Sequence, residues 1–251
     1  MIIIIGFIIL LLSFIFSMLG LGGALLYIPV FKWFGYEFKS VAIPTGLLLN
    51  GVTALSATIY YIKSGMTDVK GAIPMVITVV IGAPLGALFT KFVPTETLVV
   101  LFAILMCFAG GKMLLSSRDG KEKSHTELIP LKKRIILTAL AGFLIGIIAG
   151  LLGIGGGSLV VPTLLAIGYA TKQAVATSSF VATFSSFSGF AGHVAEGHFN
   201  LPLMIVTLVA VIIGSQVGAR IMKEKMKASW IKQIFGVLLI AVAIELIVKA
   251  F

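Results

Sequence analysis

Two glycine clusters hold the residues with the clearest chemistry. Gly20-Leu-Gly-Gly23 and Gly153-Ile-Gly-Gly-Gly157 each interrupt a long apolar run, and a proline, Pro29 or Pro162, follows each. Glycine tolerates positive φ and lets a second backbone or a ligand come close. A helix that restarts after such a break presents free N–H groups and the positive end of its dipole, which together bind an anion without a formal charge. Gly22, Gly23, Gly155, Gly156, Gly157 and Ser158 are therefore candidate substrate-lining residues. The same glycines also suit close packing between membrane helices.

A second pattern lies on the segments that follow. Thr45, Thr53 and Ser56 recur as Thr177, Ser185 and Ser188, always 132 residues later. On a helix the three positions of each set fall within about 80° of arc. Such stripes can donate hydrogen bonds to an oxyanion, or they can bond a neighbouring helix or their own preceding turn. Asn50 and Ser178 sit off the stripe, and Gln216 lies on the glycine-rich stretch Gly214–Gly218; all three join the candidate set. His193 is the candidate for proton coupling, since imidazole titrates near neutrality; an interfacial cluster with Glu196 and His198 is the plainer reading. Asp68 and Asn200 precede segment starts and read as helix N-caps. Glu245, with Lys249 four residues on, reads as an anchoring pair near a membrane surface.

The elements that position these residues follow from composition. Of 251 residues, 59% are hydrophobic and 11% charged, and mean hydropathy is +1.16. Ordinary soluble domains are about 45–50% apolar and about 25% charged. A water-soluble enzyme, a disordered chain and a disulfide scaffold are all excluded. Cys107 is the lone cysteine, and no Cys/His spacing suits a metal, so no metal or cofactor is expected. The net charge of +10 reports loop orientation rather than nucleic-acid binding. The expected class is an all-α polytopic membrane protein in the inner cell membrane, with the lipid bilayer and a small anionic substrate as partners; a homodimer is compatible with the sequence.

Eight apolar segments are delimited by charge: 1–34, 41–62, 71–90, 98–111, 135–168, 174–195, 201–219 and 234–248. The order of long, medium, medium, medium repeats once. This divides the chain into a first membrane repeat, 1–111, a basic cytoplasmic linker, 112–134, and a second repeat, 135–251. The halves match in detail: Gly20 with Gly153, Pro29 with Pro162, Gly65 with Gly197, Asp68 with Asn200, Gly82 and Gly86 with Gly214 and Gly218. Internal duplication is common in secondary transporters. Each long segment of about 34 residues exceeds one span and accommodates two half-helices of roughly 12–16 residues. If each enters and returns as a hairpin, 15 of the 19 Lys and Arg fall on the cytoplasmic side, with Lys32, Lys39, Lys91 and Lys249 outside. A single crossing of each long segment leaves the Arg220–Lys232 cations outside, which the positive-inside rule disfavours. The expected fold is thus two inverted-topology repeats, each a Gly-broken re-entrant hairpin plus three transmembrane helices. The charge count fixes only the second hairpin; a single crossing by residues 1–34 leaves it unchanged.

The doubled Gly-x-Gly-Gly pattern with its proline, the Ala174-Val-Ala-Thr-Ser-Ser179 stretch and the four-segment halves resemble the TauE/SafE family across essentially the whole chain. The resemblance implies a transporter of anionic sulfur compounds, an exporter of sulfite or an organosulfonate, bound at the midplane between the broken helices. The residues agree with that direction, because no Asp or Glu lies at the centre of a span, where cation carriers place one. An intramembrane enzyme lacks any nucleophile–base pair or metal cluster to support it. An anion channel and a non-transporting membrane assembly subunit are the alternative functions.

Overall fold

The computed structural model describes residues 1–89, 131–152, 155–194 and 198–250, with isolated helical positions between 103 and 115. Among the described residues there is no strand. Most of the segment 98–111 and of the linker, Gly153, Ile154, Glu196, Gly197 and the side chains of Glu245 and Lys249 lie outside this description.

The first long segment is two helices. α1 (Ile2–Leu19) stops because Gly20 turns left-handed at φ 73°. The Leu21 N–H then closes back on the Phe16 carbonyl at 3.1 Å, a six-residue capping bond that secures the helix end. Gly22 and Gly23, at φ 88° and 142°, carry the chain to α2 (Ala24–Trp33). A short π turn (Phe38–Ala42) leads into α3 (Ile43–Lys63), whose first turn contains Pro44, where a missing N–H costs nothing. α4 (Val69–Phe89) starts at Asp68, whose Oδ1 accepts from the Gly71 N–H at 2.8 Å.

Five further helices follow among the described residues. α5 (Leu131–Leu152) and α6 (Gly157–Ile167) divide the other long segment, with Gly155 at φ 65° between them. α7 (Thr171–His193) is the hydroxyl-rich helix, and α8 (Leu201–Glu224) begins under the Asn200 cap, Oδ1 to the Leu203 N–H at 3.1 Å. α9 (Ala228–Ala250) closes the chain. Both expected N-caps are present. Among the described residues five helices, α1, α3, α4, α5 and α8, are long and apolar enough to cross a membrane; α2 and α6 are short apolar helices.

Packing follows the glycines. α1 and α8 lie side by side and run parallel: a β-carbon on Gly6 would meet Val206 and one on Gly214 would meet Leu10 and Ser13. Gly218 likewise abuts the Phe14 carbonyl. α5 and α4 form the corresponding parallel pair, Gly142 against Met75, Gly146 against Val79 and Gly82, Gly150 against Ala83. Small residues let two backbones approach where lipid supplies no hydrophobic drive. The outward faces carry Ile3, Phe7, Ile77, Ile81 and Leu88, all exposed. α3 and α7 cross antiparallel at the centre, Leu47 beside Gly189 and Gly51 beside Phe187. The face Gly214–Gly218 is therefore a packing seam against α1.

Cations gather at one end. The Lys172 ammonium donates to the Lys223 carbonyl at 2.9 Å, and the Lys223 ammonium stands 5.8 Å over the Tyr60 ring. This joins the start of α7 to the ends of α3 and α8, beside Lys63 and Arg220. At the other end the His198 N–H donates to the Ser40 carbonyl at 2.7 Å, and Trp33 is exposed.

Candidate functional site

The two interruptions meet in the middle of the molecule. The α-carbon of Gly157 packs against the Leu21 backbone so closely that a β-carbon would strike the Leu21 carbonyl oxygen. The Ser178 hydroxyl, fully buried on α7, donates to the Gly20 carbonyl at 2.9 Å and lies 3.4 Å from that of Gly157. One side chain therefore touches both breaks. The N-termini of α2 and α6 converge there, and each brings the partial positive charge of a helix start.

Side chains of the two crossing helices cap these starts. The Ala24 N–H, first of α2, donates to Asn50 Oδ1 on α3 at 2.7 Å. The Gly156 N–H, at the start of α6, donates to Ser185 Oγ on α7 at 3.1 Å. The Asn50 amide nitrogen donates in turn to Ser186 Oγ, whose hydroxyl donates to the Ala182 carbonyl at 2.6 Å. The Asn50 amide fits between Gly22 and Gly155, each of whose missing β-carbons would fall on it. Beside it the Tyr27 hydroxyl lies 3.1 Å from Thr53 Oγ1 and 3.3 Å from the Gly22 carbonyl, while Thr53 donates to the Leu49 carbonyl at 2.7 Å. All these side chains are buried and neutral. Neutral groups on two converging helix starts give this centre a positive potential without a formal charge, which suits an anion.

The remaining candidates lie elsewhere. Ser56 accepts from Gln216 Nε2 at 2.9 Å, so these two tie α3 to α8. Ser188 donates to the Val80 carbonyl at 2.8 Å; Pro84, lacking an N–H, leaves that carbonyl without its helical donor. Thr177 Oγ1 accepts from the Asp68 N–H at 3.1 Å. Thr45 is buried near the start of α3 and Ser158 in the first turn of α6. His193 is half-buried at the end of α7, away from the breaks. The structure thus brings together Gly22, Gly23, Asn50, Thr53, Gly155, Gly156, Gly157, Ser178 and Ser185, and it separates the stripe into a central part and two flanking anchors.

Two central residues, Tyr27 and Ser186, escape a search for repeated polar positions, because their repeat counterparts are Val160 and Ala54. The positive φ that a helix break requires falls on Gly155, while Gly156 is helical at φ −65°. Near the cationic end, the Tyr169 hydroxyl donates to Asp68 Oδ2 at 2.9 Å. Burial, and then this bond to a carboxylate, hold the Tyr169 phenol well above the usual tyrosine range. Among the described residues no group of three His, Cys, Asp or Glu is placed to hold a metal ion.

Comparison with known proteins agrees with a membrane transporter. The family described as Sulfite exporter TauE/SafE matches residues 5–246. The chain is 30% identical to the "Probable membrane transporter protein YunE" of Bacillus subtilis over 92% of both chains. It is 26% identical to a "Probable membrane transporter protein" of Haemophilus influenzae over 94% of both, and 26% identical to one from Methanocaldococcus jannaschii over 88% of this chain and 85% of that one. These relatives are named as transporters, not enzymes. No solved structure matches the chain. Apolar helices and transporter relatives together make this a multi-pass membrane protein.

Proposed function

The chain belongs to the sulfite exporter TauE/SafE family, and we propose that it is a secondary transporter that exports a small sulfur-containing anion such as sulfite or an organosulfonate. The observation that carries this reading is the convergence of two helix starts, α2 and α6, on buried neutral donors and acceptors. A carboxylate there would favour a cation. A buried guanidinium would hold an anion too tightly to release it. Helix ends and hydroxyls bind an anion and let it go.

The reading includes an inverted duplication. What supports it is the pairing of helices: α1 with α8 and α5 with α4 are the same contact made twice with the halves exchanged. In the first pair both helices run towards the end where Lys172 meets Lys223, and in the second both start from the end where Asp68 meets Tyr169. α2 runs back from the centre, Ala24 against Asn50 and Ile28 against Gly46, so each Gly break reverses the chain. With the cationic end cytoplasmic, both termini are extracytoplasmic. A cycle exposes the breaks first to one side and then to the other, with a proton gradient as the candidate drive.

The test is uptake of labelled sulfite into proteoliposomes holding the full chain, with and without a pH gradient. Saturable uptake above that of empty liposomes is expected, accelerated by a gradient of one sign. Uptake equal to empty liposomes for sulfite and for a simple alkanesulfonate overturns the proposal.

A further inference from the structure

The Asn50 amide has no freedom left. Its oxygen accepts from the Ala24 N–H at 2.7 Å and its nitrogen donates to Ser186. Its two flanks are the α-carbons of Gly22 and Gly155, one from each interruption, and the residue is fully buried. A flipped amide would set its NH₂ against the Ala24 N–H, donor against donor. One side chain on α3 therefore spaces both interrupted backbones and ties them to α7. Its repeat counterpart, Ala182, offers no amide, so the device exists once and not twice.

Asn is also a pointed choice of residue type. Asp has nearly the same shape and is as good an N-cap as Asn, with the charge favoured by a helix start. Capping alone would accept either. A carboxylate at this spot, however, would cancel the positive potential of the two helix starts and repel an anion. We propose that Asn50 is the positioning residue of the site and sets its charge selectivity: the amide holds the two breaks at their spacing while keeping the centre uncharged. This rests on the transport reading above.

Stability and transport then respond to Asn50 in opposite orders. N50D keeps the shape and the cap but loses the donor to Ser186, whose hydroxyl must turn from the Ala182 carbonyl to meet the second carboxylate oxygen, so its melting temperature in detergent falls below that of the wild type and stays above that of N50A. N50A loses the cap and the tie to Ser186 and melts lower. Sulfite flux in proteoliposomes follows the reverse order between the variants: N50D falls at least 100-fold below the wild type at pH 7.5, and N50A, neutral at that position, falls less. A residue that only supports the fold gives the same order in both measurements. N50D flux equal to or above that of N50A overturns the assignment, and so does an N50D protein that melts below N50A. A wild type without flux for sulfite or an alkanesulfonate contradicts the transport reading itself, and the charge selectivity falls with it. A transporting wild type with the wrong variant order contradicts only the role of Asn50.

Discussion

Gly157 and Leu21 lie backbone to backbone, one from each half of the chain, and no β-carbon fits between them. The neighbouring Gly156 is less confined: a β-carbon there would stand 3.1 Å from the Ile145 Cγ2 and 3.1 Å from Ser185 Oγ, both side-chain atoms that can shift. Gly157→Ala is expected to lower the melting temperature in detergent more than Gly156→Ala, since forcing atoms against backbone costs about 1–3 kcal/mol or more. Equal melting temperatures would show that the two breaks do not meet at Gly157.

The parallel seams make a second prediction. At Gly150 and Gly86 a β-carbon would fall on the backbone of the opposing helix, at Ala83 and Ile147 respectively. Gly192, near the end of α7, faces only the Ala87 methyl at 3.4 Å, an ordinary contact. Gly150→Ala and Gly86→Ala are expected to reduce the yield of monodisperse protein severely, and Gly192→Ala to leave it unchanged. Size-exclusion chromatography after extraction measures this.

Tyr169 supplies a pH dependence. Its phenol is held above the ordinary value of about 10 in the folded protein, so the folded state keeps a proton that the unfolded state loses. Stability from this group is therefore present below about pH 10 and declines as pH rises beyond it. Tyr169→Phe removes the bond to Asp68 and is expected to melt lower at pH 7, a hydrogen bond to a charged group being worth about 1.5–3 kcal/mol. The difference between the two proteins should shrink between pH 10 and pH 11. A difference that grows over that range contradicts the assignment.

The helices were legible because lipid demands long apolar runs, and Asp68 and Asn200 marked their starts by composition alone. The breaks were legible for a similar reason: few residues besides glycine adopt the φ values seen at Gly20, Gly22, Gly23 and Gly155. The site was legible only in part. Helical periodicity places Thr177, Ser185 and Ser188 on one face, but it cannot say which neighbour that face meets along its length. Ser188 meets the carbonyl freed by Pro84, Thr177 meets the Asp68 backbone, and only Ser185 reaches a break. Ser186 lies about 100° round the helix from Ser185, yet it bonds Asn50 because α3 crosses α7 at that turn. Crossing points are set by long-range packing, which no local pattern encodes.

The most direct measurement compares Ser185 with Ser188. Counterflow of labelled sulfite is measured in proteoliposomes holding the wild type, Ser185→Ala or Ser188→Ala at matched protein levels. Ser185 holds the start of α6 at the centre, and Ser188 holds α4 at the flank. Ser185→Ala leaves the buried Gly156 N–H without its acceptor, which costs about 1–3 kcal/mol, roughly 5- to 150-fold. The expected result is exchange by the wild type, a loss of about that size in Ser185→Ala, and near wild-type exchange in Ser188→Ala. Exchange by Ser185→Ala equal to the wild type, or equal losses at both serines, would contradict anion passage between the two broken helices.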